Sequence, residues 1–88
     1  MKYIAAWVFE PDNVDAIIER FMKTGGLPPE GVTMEARWFD VAGGRGFAVA
    51  DSDDPVAVAK WCRAWTDLMS FEIIPVIDDG QMAQVLQG

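Results

Sequence analysis

The stretch YIAAWVF, from Tyr3 to Phe9, decides the fold because every one of its side chains is apolar or aromatic. Side chains of a strand alternate between the two faces of its sheet. One face therefore carries Tyr3, Ala5, Trp7 and Phe9, and the other carries Ile4, Ala6 and Val8. Such a run predicts a strand that is buried on both faces and ends at Glu10 and Pro11.

The segment after this strand predicts an amphipathic helix. Apolar residues recur at helical spacing at Val14, Ile17, Ile18, Phe21 and Met22. Asp12 is the predicted N-cap, and Asp15 adds a carboxylate at the positive end of the helix. Thr24, Gly25 and Gly26 follow, and glycine favours the left-handed conformation that ends a helix.

A β-hairpin is predicted next, after a proline-rich connector from Leu27 to Gly31. Strict alternation along its first strand puts Val32, Met34, Ala36 and Trp38 on one face and Thr33, Glu35, Arg37 and Phe39 on the other. The residues Ala42, Gly43 and Gly44 form the turn, and the chain from Arg45 to Ala50 returns as the second strand.

A second helix and a last strand complete the pattern. Asp54 followed by Pro55 is typical of a helix start, and the helix carries an apolar stripe of Val58, Trp61, Cys62, Trp65 and Leu68 or Met69. The last strand runs from Ser70 to Ile77, and Pro75 within it indicates an edge position or a bulge. Residues 78–80 turn the chain, and Met82, Val85 and Leu86 predict a short helix in the tail.

The order strand, helix, strand, strand, helix, strand predicts an α+β, ferredoxin-like βαββαβ fold in one domain, residues 1–88. Right-handed crossovers place both helices on one face of a four-stranded antiparallel sheet. Whichever way the strands face, the open side stays apolar, which favours a homodimer through that side, a dimeric α/β-barrel. The tail, residues 78–88, then forms a short helix at the dimer interface. The alternative is a monomer in which residues 81–88 cover the open face.

Several segments of the chain resemble the small bacterial family known as domain of unknown function 3303. The most specific are Asp53-Asp54-Pro55, Trp61, and the run Trp65-x-Asp67-Leu68-x-x-Phe71-Glu72-Ile73-x-Pro75-Val76; the connector Leu27-Pro28-x-Glu30-Gly31 and the pair Arg37-Trp38 also match. The resemblance implies a dimeric α/β-barrel. It implies no catalytic residues, because that family has no assigned activity. Relatives with this fold include monooxygenases, haem-degrading enzymes, isomerases and dechlorinases, but a fold alone does not pass on a function.

Composition restricts the classes of partner. The net charge is −7, with 14 acidic residues against 7 basic ones, which disfavours nucleic acids and anionic membranes. No apolar run approaches the ~20 residues of a membrane span, and no signal peptide is expected at the N-terminus. Cys62 is the single cysteine, so no disulfide can form within the chain, which fits a reducing, cytoplasmic location.

The chemistry-bearing residues favour no catalysis, cofactor or metal. The chain has no histidine, the commonest general base and metal ligand. Cys62 lies within the second helix stripe and is expected to be a small buried side chain. The acidic run Asp51-x-Asp53-Asp54 is interpreted as a helix start rather than a cation site. Residues 43–46 are glycine-rich, but they open no helix that would bind a phosphate.

One constellation remains as a candidate ligand site. The polar and aromatic residues proposed to converge are Tyr3, Trp7, Glu35, Arg37, Phe39, Arg45 and Glu72. Glu35 and Arg37 are predicted on one strand face, and an arginine there grips a carboxylate well. Alternatively, Glu35, Arg37 and Glu72 form ordinary cross-strand ion pairs. These groups converge either between the helices and the sheet or between the two sheets of a dimer, depending on which way the second strand faces. In the second arrangement, which we expect, the ligand site and the dimer interface are one region.

Three functions are compatible with these patterns. The first is a non-catalytic homodimer that binds a small apolar or carboxylate-bearing molecule in the barrel. The second is a cofactor-free enzyme, resembling a monooxygenase or isomerase, on a small aromatic substrate, with Tyr3, Arg37 and the carboxylates of Glu35 and Glu72 as candidates. The third is an amino-acid-sensing module at residues 10–13, which lack the glycine that such sites use.

Overall fold

The computed structural model describes residues 1–88 and consists of one antiparallel sheet with three helices. The elements are β1 (Lys2–Val8), α1 (Val14–Thr24), β2 (Thr33–Phe39), β3 (Arg45–Asp51), α2 (Pro55–Arg63), β4 (Ser70–Val76) and α3 (Asp79–Leu86). The strand order is β2-β3-β1-β4, which confirms the ferredoxin-like arrangement. β4 lies at an edge of the sheet, where Pro75 was predicted to place it. No helix has the length and apolar character needed to cross a bilayer.

The two long helices begin differently. α2 starts as predicted: the carboxylate of Asp54 accepts a hydrogen bond from the backbone N–H of Val56 at 3.0 Å. The prediction of Asp12 as the N-cap of α1 is wrong, because residues 11–13 form a 3₁₀ turn and Asn13 takes the cap position. The amide of Asn13 instead donates to the carbonyl of Leu68 at 3.0 Å, which ties the start of α1 to the entry of β4.

Register assigns the side chains of the sheet to its two faces. Tyr3, Ala5 and Trp7 of β1 lie opposite Ala50, Ala48 and Gly46 of β3 and opposite Pro75, Ile73 and Phe71 of β4. This is the helix face, because Ala50 packs with Ala57 and Val58 of α2. The alternate residues of the same strands form the open face, on the side of the sheet away from the helices.

A β-bulge between Met34 and Ala36 changes the register of β2. The prediction that Glu35 and Arg37 share a face is therefore wrong, since the extra residue resets the alternation. Glu35 lies towards the open face, where its carboxylate meets the ammonium of Lys2 at 3.0 Å. Arg37 lies on the helix face, paired opposite Ala48.

The hydrophobic core of the single chain is thin. Only nine of the 88 residues are buried, and no large side chain is fully enclosed. The buried positions of the sheet are small residues: Ala5, Gly46, Ala48 and Ala50. A floor of small side chains leaves space beneath the helices, and so little burial gives a small margin of stability.

The open face remains uncovered along its length. Val8, Trp38, Phe47 and Ile74 on this face expose 53%, 56%, 37% and 41% of their surface. α3 does not cover them, because every residue from Ile77 to Gly88 is itself exposed. The alternative in which the tail folds across the sheet of its own chain is not the arrangement seen.

Candidate functional site

A cavity of about 230 Å³ lies between the helix face of the sheet and the helices α1 and α2. Of its 14 lining residues 12 are hydrophobic, and its walls are mainly aromatic: Trp7, Phe9, Phe21, Phe39, Trp61, Trp65 and Phe71. An apolar cavity with few polar groups is the usual form of a small-molecule site.

The sheet creates this cavity by combining small and large residues in one register. Ala5 lines the floor, and the indole of Trp7 lies against Gly46 on the neighbouring strand, in the space that a Cβ would occupy. The Trp7 ring tilts at 50° to the ring of Phe71, with the centroids 6.4 Å apart. The strands thus supply an aromatic rim around a floor that has almost no side chain.

Arg37 is the single charged residue in the cavity wall. Its guanidinium donates to the backbone carbonyls of Gly25 at 3.0 Å and Gly26 at 3.3 Å. The group lies 4.9 Å from the ring centre of Phe21 and 5.6 Å from that of Phe39, within the range of cation–π attraction. Carbonyls and aromatic faces therefore hold the cation in place without neutralising it.

The turn after α1 orients these polar contacts. Gly25 is left-handed, with φ 70°, and its N–H donates to the carbonyl of Phe21 at 2.7 Å. Gly26 approaches so closely that an added Cβ would lie 2.9 Å from the Arg37 Nη1 atom. The carbonyl of Gly26 also accepts the indole N–H of Trp61 at 3.4 Å. The two glycines thus end the helix and aim their carbonyls at the cavity wall.

No carboxylate offsets the charge of Arg37. Six ion pairs occur in the structure, and none involves this residue. The other half-buried arginine, Arg20, has the opposite environment: two of its nitrogens each bond an oxygen of Asp67 at 2.8 Å. Arg37 therefore keeps an unmatched positive charge beside an apolar cavity.

Arg20 and Asp67 form a latch outside the cavity. Arg20 also donates to the carbonyl of Ala64 at 2.8 Å and lies 5.3 Å from the ring centre of Trp65, which lines the cavity. The hydrogen bond from Arg20 holds the pKa of Asp67 below its ordinary value. This contact fixes α1 to the segment that follows α2, and so fixes the cavity wall.

Cys62 lines the cavity as a half-buried free thiol. Burial raises its pKa above the ordinary value, so the thiol is protonated at neutral pH. A protonated thiol is a poor nucleophile and a weak metal ligand. The residue acts here as a small side chain of the wall, in line with its sequence interpretation.

The structure brings together three of the seven predicted ligand residues: Trp7, Arg37 and Phe39. Tyr3 is on the helix face, but it packs against the core and lines a separate, more open depression beside α2. Glu35 is on the open face, and Glu72 joins it there, paired opposite Ala6. The structure thus separates the cavity from the open face, which the sequence interpretation had combined.

Arg45, the remaining predicted residue, belongs to the hairpin. Its Nε donates to the carboxylate of Asp40 at 2.6 Å, and the backbone N–H of Ala42 donates to the same side chain at 2.9 Å. These two hydrogen bonds lower the pKa of Asp40, and the bond from Ala42 has the larger effect. Arg45 therefore stabilises the turn between β2 and β3 and has no contact with the cavity.

Sequence reasoning missed most of the cavity wall. Ile17 and Phe21 of α1 and Trp61 and Trp65 near α2 appeared as ordinary apolar stripes that would pack on the sheet. A helical stripe has the same pattern over a filled core and over a void. The sequence signal that could have revealed the cavity lies in the strands that face the helices, where alanine and glycine occupy the positions beneath them.

The acidic run before α2 has structural contacts. Asp54 caps the helix, while Asp51 and Asp53 meet the N-terminal ammonium group at 3.4 and 3.1 Å. Nowhere do three or more Cys, Asp or Glu side chains come together in the manner of a metal site.

Comparisons with known proteins agree with this architecture. A search of curated proteins finds no significant match. A proposed antibiotic biosynthesis monooxygenase from Deinococcus radiodurans is similar in structure, with a TM-score of 0.52 and 9% identity over 89% of this chain and 94% of that one. A DUF3240 family protein from Shewanella baltica matches over 89% and 92% of the two chains at 15% identity, but its TM-score of 0.35 is too low to bear on the fold.

The likeness to the Deinococcus protein, at such low identity, concerns the ferredoxin-like fold alone. The family model of the domain of unknown function DUF3303 matches residues 1–88, which include the helix start, the aromatic positions and the last strand that carried the resemblance. The chain therefore belongs to the DUF3303 family.

Proposed function

We propose that this domain binds a small apolar molecule bearing a carboxylate in the cavity between helices and sheet. The observation that supports this is the guanidinium of Arg37, which faces a hydrophobic cavity and has no carboxylate partner. A charge in apolar surroundings is costly unless it is paired. A ligand carboxylate supplies the missing partner, and the aromatic walls cover the rest of the ligand.

The size of the cavity limits the ligand. An apolar cavity of ~150 Å³ can accommodate benzene. A volume of about 230 Å³ therefore suits a single substituted ring or a short branched chain. Larger polycyclic molecules fit only if the wall opens.

Binding is favoured over catalysis because no carboxylate lines the cavity. Glu35 and Glu72, the candidate bases of the enzyme alternative, lie towards the open face on the other side of the sheet. A general base must reach the proton that it removes. Cys62 lines the cavity, but its raised pKa keeps it protonated.

We further propose that the domain is a homodimer in which the open faces of two sheets pack together. Trp38 and Phe47 are exposed as paired neighbours on this face, and Ile74 is exposed on the edge strand β4. Contiguous apolar patches of this kind mark interfaces in soluble proteins. A cytoplasmic location fits the half-buried free thiol of Cys62.

Binding can be tested with benzoate, phenylacetate and 4-methylbenzoate, each compared with its uncharged alcohol. We expect at least one acid to raise the melting temperature and to change the fluorescence of Trp7, Trp61 and Trp65 in the cavity wall. The matched variants are Arg37→Gln and, as control, Arg63→Gln, because Arg63 is exposed and does not line the cavity.

Arg37→Gln should weaken binding of the acid by about 10- to 100-fold, the value of a charge-assisted hydrogen bond of ~1.5–3 kcal/mol. The same change should leave binding of the alcohol nearly unaltered, and Arg63→Gln should alter neither. If no acid binds at millimolar concentration, or if both arginine variants behave alike, the proposed site is wrong.

A further inference from the structure

The C-terminal helix α3 has no partner within its own chain. All residues from Asp79 to Leu86 are exposed, including Met82 at 44%, Val85 at 61% and Leu86 at 78%. These three side chains are spaced i, i+3, i+4 and therefore share one face of the helix. α3 is thus a short amphipathic arm whose apolar face is presented to solvent.

An arm of this length needs a supporting surface. α3 has eight residues, and isolated helices shorter than about 12–15 residues are marginal in water. Gly80 weakens it further. The capping box of Asp78 and Gln81, with hydrogen bonds of 2.8 and 3.0 Å, defines where the helix begins. A capping box alone does not compensate for an apolar face left in water.

The open sheet face offers only a small footprint to a second copy. The strands are seven residues long, so four of them cover roughly 440 Å² of flat sheet at about 3.3 Å per residue and about 4.8 Å between strands. Stable specific interfaces bury about 800 Å² on each partner. The sheet footprint is about half of this figure, so a contact between two sheets gains from any further apolar surface on the same chain.

Two apolar surfaces of the same chain are therefore uncovered: the apolar face of α3 and the open face of the sheet. The molecule is 49 Å long, whereas its strands span only about 23 Å. α3 follows β4 after two residues, and its exposure along its whole length places it outside the body of the molecule. We infer that α3 of each protomer packs its apolar face on the open sheet face of a second copy, so that two arms are exchanged across the dimer.

This inference rests on the proposed homodimer and names the element that completes it. The exchange of arms adds to the buried interface area at two places in the dimer, because each protomer contributes its own α3 and also binds the α3 of its partner. It also covers Met82, Val85 and Leu86 together with the margin of the sheet that the flat contact leaves exposed. The cavity around Arg37 lies on the opposite side of the sheet and takes no part.

The test combines light scattering with amide hydrogen exchange on the full chain. In the wild type we expect a dimer whose α3 amides are protected at high protein concentration and exchange rapidly once dilution separates the copies. The variant Val85→Ser/Leu86→Ser should raise the Kd of dimerisation by about tenfold or more, because apolar side chains of two arms lose their burial. The matched control Ala83→Ser/Gln84→Ser changes residues of α3 outside this apolar face and should leave the Kd unaltered.

The outcomes of this test distinguish a failure of the exchanged arm from a failure of the proposed dimer. A wild-type dimer whose Kd is the same in both variants overturns the exchanged arm and leaves the sheet contact intact. Protection of α3 that does not depend on dilution places the arm on its own chain and likewise overturns the inference. A wild-type monomer at all concentrations overturns the proposed dimer itself, and with it the arm.

Discussion

Gly46 of β3 is the residue on which the cavity depends most directly. Any side chain here would overlap the Trp7 indole, because even a Cβ would lie 2.6 Å from its Nε1 atom. We predict that Gly46→Ala lowers the free energy of unfolding by about 1–3 kcal/mol, as overpacking does elsewhere, and displaces Trp7 from the cavity rim. Chemical denaturation and tryptophan fluorescence would measure the two effects.

The matched control for Gly46 is Gly80→Ala in α3. A Cβ at Gly80 meets no atom closer than 3.4 Å, and alanine favours a helix more than glycine does. This variant should be neutral or slightly stabilising. Equal losses in the two variants would contradict the role given to the indole contact.

At the scale of residues, the sequence predicted some of the site. Arg37 and the aromatic residues Trp7 and Phe39 were identified because an arginine among aromatic side chains is chemically distinctive. The acids Glu35 and Glu72 were assigned to the same site, and the structure places them elsewhere. The sequence gives the type of each side chain directly. The sheet face on which a side chain lies depends on strand register, and one extra residue in a strand moves the following side chains to the other face.

At the scale of elements, the Arg20–Asp67 latch predicts a dependence of stability on pH. The pKa of Asp67 is lowered in the folded chain, so its contribution is fully present above the ordinary aspartate pKa of about 3.9 and is lost as pH falls through the folded value. Wild type should therefore exceed Asp67→Asn in stability at neutral pH, and the two should converge in acid.

Denaturation of both proteins between about pH 7 and pH 2.5 would measure this effect. The difference should also shrink in high salt, because Asp67 is exposed and its pair is screened. A difference that stays constant across the pH range would show that the carboxylate charge contributes nothing to the latch.

The elements themselves were largely predictable, and the exceptions have local causes. The Asp54-Pro55 start of α2 and the glycine end of α1 are confirmed because each depends only on neighbouring residues. The start of α1 was misplaced because Asn13 bonds to Leu68, far along the chain. The bulge at Glu35 escaped prediction because it is a feature of how β2 pairs with β3, which the order of residues along β2 does not show.

At the scale of the whole molecule, the open face predicts the assembly. Trp38→Glu should place a charge in the proposed interface and yield a species of 9.7 kDa in light scattering, where the wild type gives twice that mass. Trp38 is already 56% exposed in the single chain, so the substitution should leave the fold intact.

The matched control for Trp38→Glu is Val41→Glu. Val41 is a fully exposed apolar residue in the hairpin turn, away from the sheet face. Its substitution by glutamate should not change the mass. Circular dichroism should show native secondary structure in both variants, and a monomeric wild type would remove the basis of the comparison.

The proline in β4 has a consequence for how such molecules behave when they are crowded. A free sheet edge recruits strands from other chains, which is a route to fibres. Pro75 interrupts the hydrogen-bonding row at one edge, and the bulge at Glu35 distorts the row at the other. Growth strand by strand is thereby disfavoured at both edges. If two open faces pack together as proposed, the contact closes on itself, and a chain so rich in exposed apolar surface stops at a dimer instead of forming a fibre.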